Sequence, residues 1–343
     1  HPPARLSSGR VAVTAPLLSV RDLTVTYRLP GRGLWQRARR FEAVSAVSFD
    51  LAAGETLGIV GESGCGKSSL ARGLLNLVPT AGSVRLGERE LVGLDHAALK
   101  AARRDLPLVY QDPLAALDPR MTVADIIAEP LLLTEPQPDR PARRRRVAAI
   151  MDKEGLEPAH ANRYPHEFSG GQCQRIGIAR ALVTEPKLVI CDEPVSALDV
   201  SIRAQIVNLL MDLQADLGLA LIFIAHDLPV VRHISHRVMV MYLGRTMEYG
   251  DAEQLYTRPL HPYTAALIAA APVPDPRLAR ARAHRPLEGE LPSPLAPPTG
   301  CPFSSRCPIA ETRCHREPPP LRTLRGAQVA CHRADEGLTL AGF

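Results

Sequence analysis

Residues 57–70 read LGIVGESGCGKSSL, and no other stretch constrains the fold as strongly. A short apolar run, a glycine-rich turn and a helix-suited tail make a strand–loop–helix unit. Gly61, four residues, then Gly66, Lys67 and Ser68 match the P-loop pattern in the context that gives the match meaning. Glycines at Gly61, Gly64 and Gly66 let backbone N–H groups approach phosphate oxygens without a Cβ in the way. Lys67 is expected to reach β/γ oxygens and the Ser68 hydroxyl to ligate Mg²⁺. Ser63, Cys65 and Ser69 count with them as nucleotide-contacting positions. Short β-rich runs, turns and helices alternate as far as about residue 250, an α/β layout with a mainly parallel sheet.

A second glycine-led helix start, EFSGGQCQRIGIARAL, spans residues 167–182. Unpaired N–H groups at such a start make an anion site. Ser169, Gly170, Gly171 and Gln172 form it, and it carries no lysine. Three further apolar runs end in polar groups, the arrangement expected at the carboxyl edge of a parallel sheet. KLVICDEP ends in Asp192, expected to hold Mg²⁺ through water, and Glu193, placed to polarise an attacking water. LIFIAHDL ends at His226, a γ-phosphate donor or a satisfied core histidine. LVYQDP ends at Gln111, whose amide would touch Mg²⁺ and the lytic water. Tyr27 in TVTYRL is an adenine-stacking candidate or an ordinary inward strand tyrosine.

The chain has 343 residues, 45% hydrophobic and 22% charged, enough for one large or two medium domains. Its longest apolar stretches fall well short of the ~18 residues of a membrane span. With no visible signal peptide, a cytoplasmic protein is expected; the first residue is histidine, so the numbering is expected to start inside the natural chain or after a tag. The net charge is +5, but the basic residues are nearly all arginine, and Arg143–Arg146 reads as a solvated helix face rather than a nucleic-acid patch. Residues 1–16 read as a flexible tail. Between Gln111 and Arg180 the apolar pattern is helical, which suggests a helical subdomain over about 112–181 inserted in a domain spanning 17–271. Residues 272–343 turn to Pro, Arg and Cys and read as a linker or small irregular extension. No internal repeat is evident. The basic insertion around Trp35–Arg40 reads as an exposed loop, with contact to lipid headgroups as the alternative.

In order, Gly61–Ser69, Gln111, FSGGQ, LVICDE, SALD (Ser196–Asp199) and His226 resemble the Walker A, Q-loop, signature, Walker B, D-loop and switch of ABC transporter ATPase subunits. Phe168, in place of the usual Leu, is the single departure. The resemblance implies an ABC-type P-loop ATPase with a mainly parallel sheet, an antiparallel β edge and an inserted helical subdomain. It also implies head-to-tail pairing of two ATPase domains, in which the Ser169–Gln172 signature of one closes on ATP held by the P-loop of the other, with Asp199 in the D-loop between them. ATP and Mg²⁺ follow as cofactors. The HPYT segment (His261–Thr264) and the late cysteine-rich stretch are similar to those of oligopeptide/dipeptide importer ATPases of the F type. That narrower resemblance implies peptide uptake, a D-type ATPase partner, two separate transmembrane permease subunits, an extracytoplasmic peptide-binding protein and no nucleic acid. The place implied is the cytoplasmic face of the inner membrane. Nickel or another peptide-like cargo is the nearer alternative; a soluble ATPase acting on nucleic acid or ribosomes, or an exporter ATPase, is the more distant one.

Seven cysteines are unevenly placed. Cys65, Cys173 and Cys191 lie inside the motifs and read as small packing residues. Cys301, Cys307, Cys314 and Cys331 crowd the extension. Crowded thiols in a cytosolic chain argue for metal over disulfide, and this spacing is not that of a paired CxxC zinc ribbon. An iron–sulfur cluster, zinc and unligated thiols stay open on the residues; the importer resemblance implies a 4Fe–4S cluster.

Overall fold

The computed structural model describes residues 15–29, 39–133, 136–271, 289–290 and 292–336. Most of the expected N-terminal tail, and the basic insertion up to residue 38, lie outside these. The strands are β1 (Leu18–Leu29), β2 (Arg39–Leu51), β3 (Thr56–Val60), β4 (Thr80–Leu86), β5 (Arg89–Glu90), β6 (Leu108–Val109), β7 (Leu188–Asp192), β8 (Ala220–Ile224), β9 (Arg237–Tyr242), β10 (Arg245–Asp251), β11 (Arg322–Leu324) and β12 (Ala327–Val329). The α-helices are α1 (Lys67–Leu74), α2 (His96–Arg103), α3 (Val123–Ala128), α4 (Arg140–Lys153), α5 (Gly170–Leu182), α6 (Val200–Leu217), α7 (Leu228–Ile234), α8 (Ala252–Thr257), α9 (Pro262–Ala270) and a short helix over Thr312–Arg316.

Two sheets result: an antiparallel one ordered β2-β1-β4-β5, and a larger one ordered β11-β12-β10-β9-β3-β8-β7-β6. In the larger sheet β6, β7, β8, β3 and β9 run parallel, so their carboxyl ends share one edge. Each of β3, β7 and β8 is buried along its whole length, as expected for strands covered on both faces. Alternation divides their side chains between two cores. Leu57, Ile59, Ile190, Ile222 and Ile224 pack with the antiparallel sheet and α1. Val189, Cys191, Leu221 and Phe223 pack with α5, α6 and α7 on the other side. α6 is bounded by an Asp199 N-cap and by Gly218 at φ 61°, a left-handed stop that glycine adopts without strain.

Between β6 and β7 the described chain holds α3, α4, α5 and short 3₁₀ turns, and no strand. The extension is more regular than its composition suggests. A two-residue loop, Arg325 and Gly326, both at positive φ, joins β11 to β12, and that geometry suits the twist of a tight hairpin. β12 then pairs with β10, carrying the main sheet into the extension.

One buried carboxyl in the helical region lacks a hydrogen-bond partner. Glu154 is fully buried, and neither carboxylate oxygen has a hydrogen-bond partner. Arg175 donates to the backbone carbonyl of Glu154 at 2.8 Å instead. Burial pushes the carboxyl up to about 8, only partly opposed by the Arg175 charge. The folded chain therefore keeps a proton that the unfolded chain releases, and stability falls as pH rises from the ordinary carboxylate range towards about 8. Glu154→Leu is expected to raise the melting temperature, by more at pH near 8 than at pH near 5, with a gain on the order of a few kcal/mol at the alkaline end. Paired thermal melts of wild type and variant at the two pH values check this.

Candidate functional site

The P-loop joins β3 to α1, with Gly66 as the helix N-cap at φ 107°. A Cβ at Gly66 would lie 2.3 Å from the Ala43 carbonyl oxygen, so both backbone conformation and space require glycine there. Lys67 is 4% exposed. Its ammonium donates to the carbonyls of Gly61 (2.8 Å) and Glu62 (3.1 Å) and lies 3.9 Å from Glu193 Oε1. Ser68 Oγ donates to Asp192 Oδ1 at 3.0 Å, which pairs a hydroxyl with a carboxylate as a hard-cation site needs. Burial raises the Asp192 carboxyl, opposed by the Ser68 bond.

Glu193 is the convergence point. Its Oε2 accepts from Gln111 Nε2 at 3.3 Å and lies 3.3 Å from His226 Nδ1. Four side chains predicted separately from the sequence, Lys67, Gln111, Glu193 and His226, therefore meet. Glu193 holds φ at 49°, the left-handed region a non-glycine residue rarely adopts. Its N–H donates to the Ile224 carbonyl at 2.9 Å, which pins the backbone in that state. Tyr27 reaches the same place: its hydroxyl donates to Ser69 Oγ at 3.3 Å, and its ring stacks on Phe41 at 5.6 Å. Beside these groups lies a cavity of about 390 Å³ lined by Tyr27, Phe41, Ser63, Gly64, Gly66, Lys67, Ser68, Ser69, Gln111, Glu193 and others, a volume that suits a nucleotide.

Ser169, Gly170, Gly171 and Gln172 are not brought to this cavity. They start α5, where Ser169 and Gln172 form a reciprocal capping box and Ser169 and Gly170 face solvent. A Cβ at Gly171 would meet Ile202 Cγ2 at 2.5 Å, so α6 packs tightly there. Asp199 caps α6, accepting from the N–H groups of Ser201 (3.1 Å) and Ile202 (3.0 Å). The bond from Ile202 first, and then one from the Ser201 hydroxyl at 2.7 Å, hold its carboxyl below the usual range.

The family model for ABC transporters matches residues 44–196, and that for the oligopeptide/dipeptide transporter C-terminal region matches residues 247–314. The oligopeptide transport ATP-binding protein OppF of Escherichia coli (strain K12) is 54% identical over 322 residues, 93% of this chain and 96% of that protein. The chain belongs to this family of ABC transporter ATPases. The di/tripeptide transport ATP-binding protein DppF of Pseudomonas aeruginosa (strain UCBPP-PA14) is 50% identical over 325 residues, 94% of this chain and 99% of its own. A dimeric ATP-binding cassette solved in a post-hydrolysis state with ADP and Pi superposes with a TM-score of 0.61 at 28% identity, covering 68% of the ATPase and 98% of that chain.

In the ATPase the HPYT segment is built into the core. The Glu248 carboxylate, pushed up to about 7 by burial, accepts from the N–H groups of Leu260 (2.8 Å) and His261 (2.9 Å). His261 Nδ1 accepts from the Tyr263 N–H at 3.0 Å, and burial lowers this imidazole to about 3. Cys301, Cys307, Cys314 and Cys331 share the lining of one pocket with His261 and Phe303. Its volume of about 10 Å³ holds no more than about one water. Among the described residues no group of three or more His, Cys, Asp or Glu is arranged to hold a metal ion. The 4Fe–4S expectation finds no such arrangement among these residues; what the four cysteines share is the lining of one pocket. Cys65, Cys173 and Cys191 are buried.

Sequence reasoning missed Phe41, Glu42, Ala43, Leu243, Gly244 and Pro294 as lining residues. Phe41 was findable, because it lies directly opposite Tyr27 in the β1–β2 register. Pro294, from the extension, had no local signal. Tyr27→Ala and Phe41→Ala are each expected to weaken ATP binding roughly tenfold, as loss of ring stacking on a base does. Tyr27→Phe should keep most of the affinity. ATP titration of the three variants checks this, and unchanged affinity in both alanine variants would mark the ring pair as core packing.

Proposed function

We propose that this chain is the ATP-hydrolysing subunit that powers uptake of oligopeptides or dipeptides through an ABC importer. Its relatives at 54% and 50% identity are named for oligopeptide and di/tripeptide transport. The observation that carries the catalytic reading is the meeting of Lys67, Gln111 and His226 at Glu193 beside the P-loop cavity. Glu193 is the general base that polarises the attacking water, and Gln111 orients that water. Lys67 and His226 take the charge that develops on the γ-phosphoryl group. Ser68 and Asp192 would hold Mg²⁺, with Gln111 alongside, and the ion would supply neutralisation of phosphate charge there.

Ser169–Gln172 lie away from their own chain's cavity, at an exposed helix start. This arrangement supports a site shared with a second ATPase subunit of the D type, whose bound ATP the signature contacts, with Asp199 at the junction. The solved cassette of the same fold is dimeric. No helix among the described residues is long and apolar enough to cross a membrane. In this reading two separate permease subunits, fed by an extracytoplasmic binding protein, carry the peptide, and this chain works beneath them on the cytoplasmic face of the inner membrane; the relatives named for peptide transport support it. The domain limits of 17–271 and 272–343 belong to the same proposal. Glu193→Gln in the assembled transporter is expected to keep ATP binding and to lower turnover by at least about a hundredfold, in line with loss of a general base. Wild-type hydrolysis by that variant sinks the catalytic reading, and peptide uptake that continues without ATP sinks the coupling.

For the extension we propose a thiol-ligated metal group at Cys301, Cys307, Cys314 and Cys331. Support comes from four soft donors on the lining of one pocket. Anaerobically purified protein is expected to carry iron and acid-labile sulfide with broad visible absorbance. Stoichiometric zinc in colourless protein replaces the cluster, and absence of both metals removes the proposal.

A further inference from the structure

We propose that Arg306, supplied by the C-terminal extension, is a positioning residue for the P-loop. Its two terminal nitrogens donate to the two carboxylate oxygens of Glu62, at 2.7 and 3.0 Å. The two side chains are only 7% and 27% exposed, and the partners stand 244 positions apart in sequence. Two-pronged pairing of this kind fixes direction as well as distance. Glu62 is the first residue after Gly61 in the P-loop, and each of its polar groups is engaged. Its N–H donates to the Tyr263 hydroxyl at 2.9 Å, its carbonyl accepts from Lys67 at 3.1 Å, and its carboxylate takes Arg306. Tyr242, Tyr263 and Phe303 pack edge-on or tilted against one another beneath this group, with ring centroids 4.8 to 5.5 Å apart. Phe303 and Cys307 flank Arg306 in the chain and line the four-thiol pocket, and Pro294 of the same extension lines the nucleotide cavity. The extension therefore reaches the ATP site at two independent points.

Two physical effects follow. A P-loop works by presenting N–H groups already fixed in place, so a clamp on its second residue limits the reorganisation that binding demands. Arg306 also neutralises a carboxylate carried by the P-loop itself, on the residue next to Ser63, which lines the nucleotide cavity. Left unpaired, Glu62 would repel the nucleotide in proportion to its phosphate charge. Glu62 thus becomes a liability whenever Arg306 is absent.

This inference rests on the reading of the P-loop as the ATP cradle, and the experiment separates the two. The full-length chain is titrated with MANT-ATP and with MANT-AMP, and the assembled transporter is assayed for KM and kcat. Lys67→Ala must lose MANT-ATP binding; if it binds as wild type does, the cradle reading fails and the inference with it. With that control in hand, Arg306→Ala is expected to weaken MANT-ATP about tenfold, equal to about 1.4 kcal/mol. MANT-AMP should weaken much less, and KM should rise while kcat at saturation holds. Arg306→Lys should fall between. In the Glu62→Gln/Arg306→Ala double variant the repelling charge is gone, and much of the affinity should return. Should Arg306→Ala fail to fold, the neutral pair Glu62→Gln/Arg306→Gln and Arg306→Lys carry the test. Wild-type affinity in a folded Arg306→Ala protein overturns the proposal. So does an equal loss for both analogues that Glu62→Gln does not relieve, because that pattern belongs to a structural strut.

Discussion

The site depends on a buried ammonium that must find oxygen. Lys67 opens α1 just past the loop that follows the central strand β3, and burial of an unpaired cation there would cost several kcal/mol. Its partners are two carbonyls of its own loop and, at longer range, Glu193. The parallel register makes this possible. Ile59 of β3 and Asp192 of β7 both pair with Ile224 of β8, so the P-loop, the two carboxylates and the residues leading to His226 leave the sheet at one level. A shift of a single residue in either pairing would turn these groups towards opposite faces.

The HPYT segment is a mechanical join. Glu248 receives the backbone of Leu260 and His261, His261 receives Tyr263 and bonds the backbone of Ala330, and the Tyr263 hydroxyl receives the P-loop at Glu62. Burial keeps the His261 imidazole neutral, so its Nδ1 remains an acceptor at ordinary pH. A run of four residues thereby links β10, the cysteine-bearing extension and the phosphate loop. Cys301, Phe303 and Cys314 lie in the same apolar core as α5, α6 and β8, and the extension's hairpin lengthens the main sheet.

Much of the nucleotide site was legible because its signals are local. Gly61–Ser68 follows a strand and opens a helix, and the carboxylates, glutamine and histidine each terminate an apolar run. Such features survive in one dimension, since strand ends and glycine turns are fixed by nearest neighbours. The extension was read as irregular because its strands are three residues each, too short for alternation to show. The Arg325–Gly326 turn was its one local mark. The cysteine spacing suggested convergence, and the four cysteines do line one pocket, but spacing alone carried no geometry for a ligand set.

By itself the sequence determined the chemistry on offer: which groups are suited to hold phosphate, which are suited to take a proton from water, and that the glycine-led helix start at Ser169–Gln172, proposed as an anion cradle, carries no lysine. Tertiary structure decided who meets whom. It turned the Ser169 cradle away from its own P-loop, joined Tyr27 to Phe41 across a hairpin, and brought Arg306 to Glu62 from the far end of the chain. The physical reason is separation. Motifs are written in short runs whose backbone geometry is local, whereas a salt bridge spanning 244 positions exists only once the sheet and its packed helices have closed the distance.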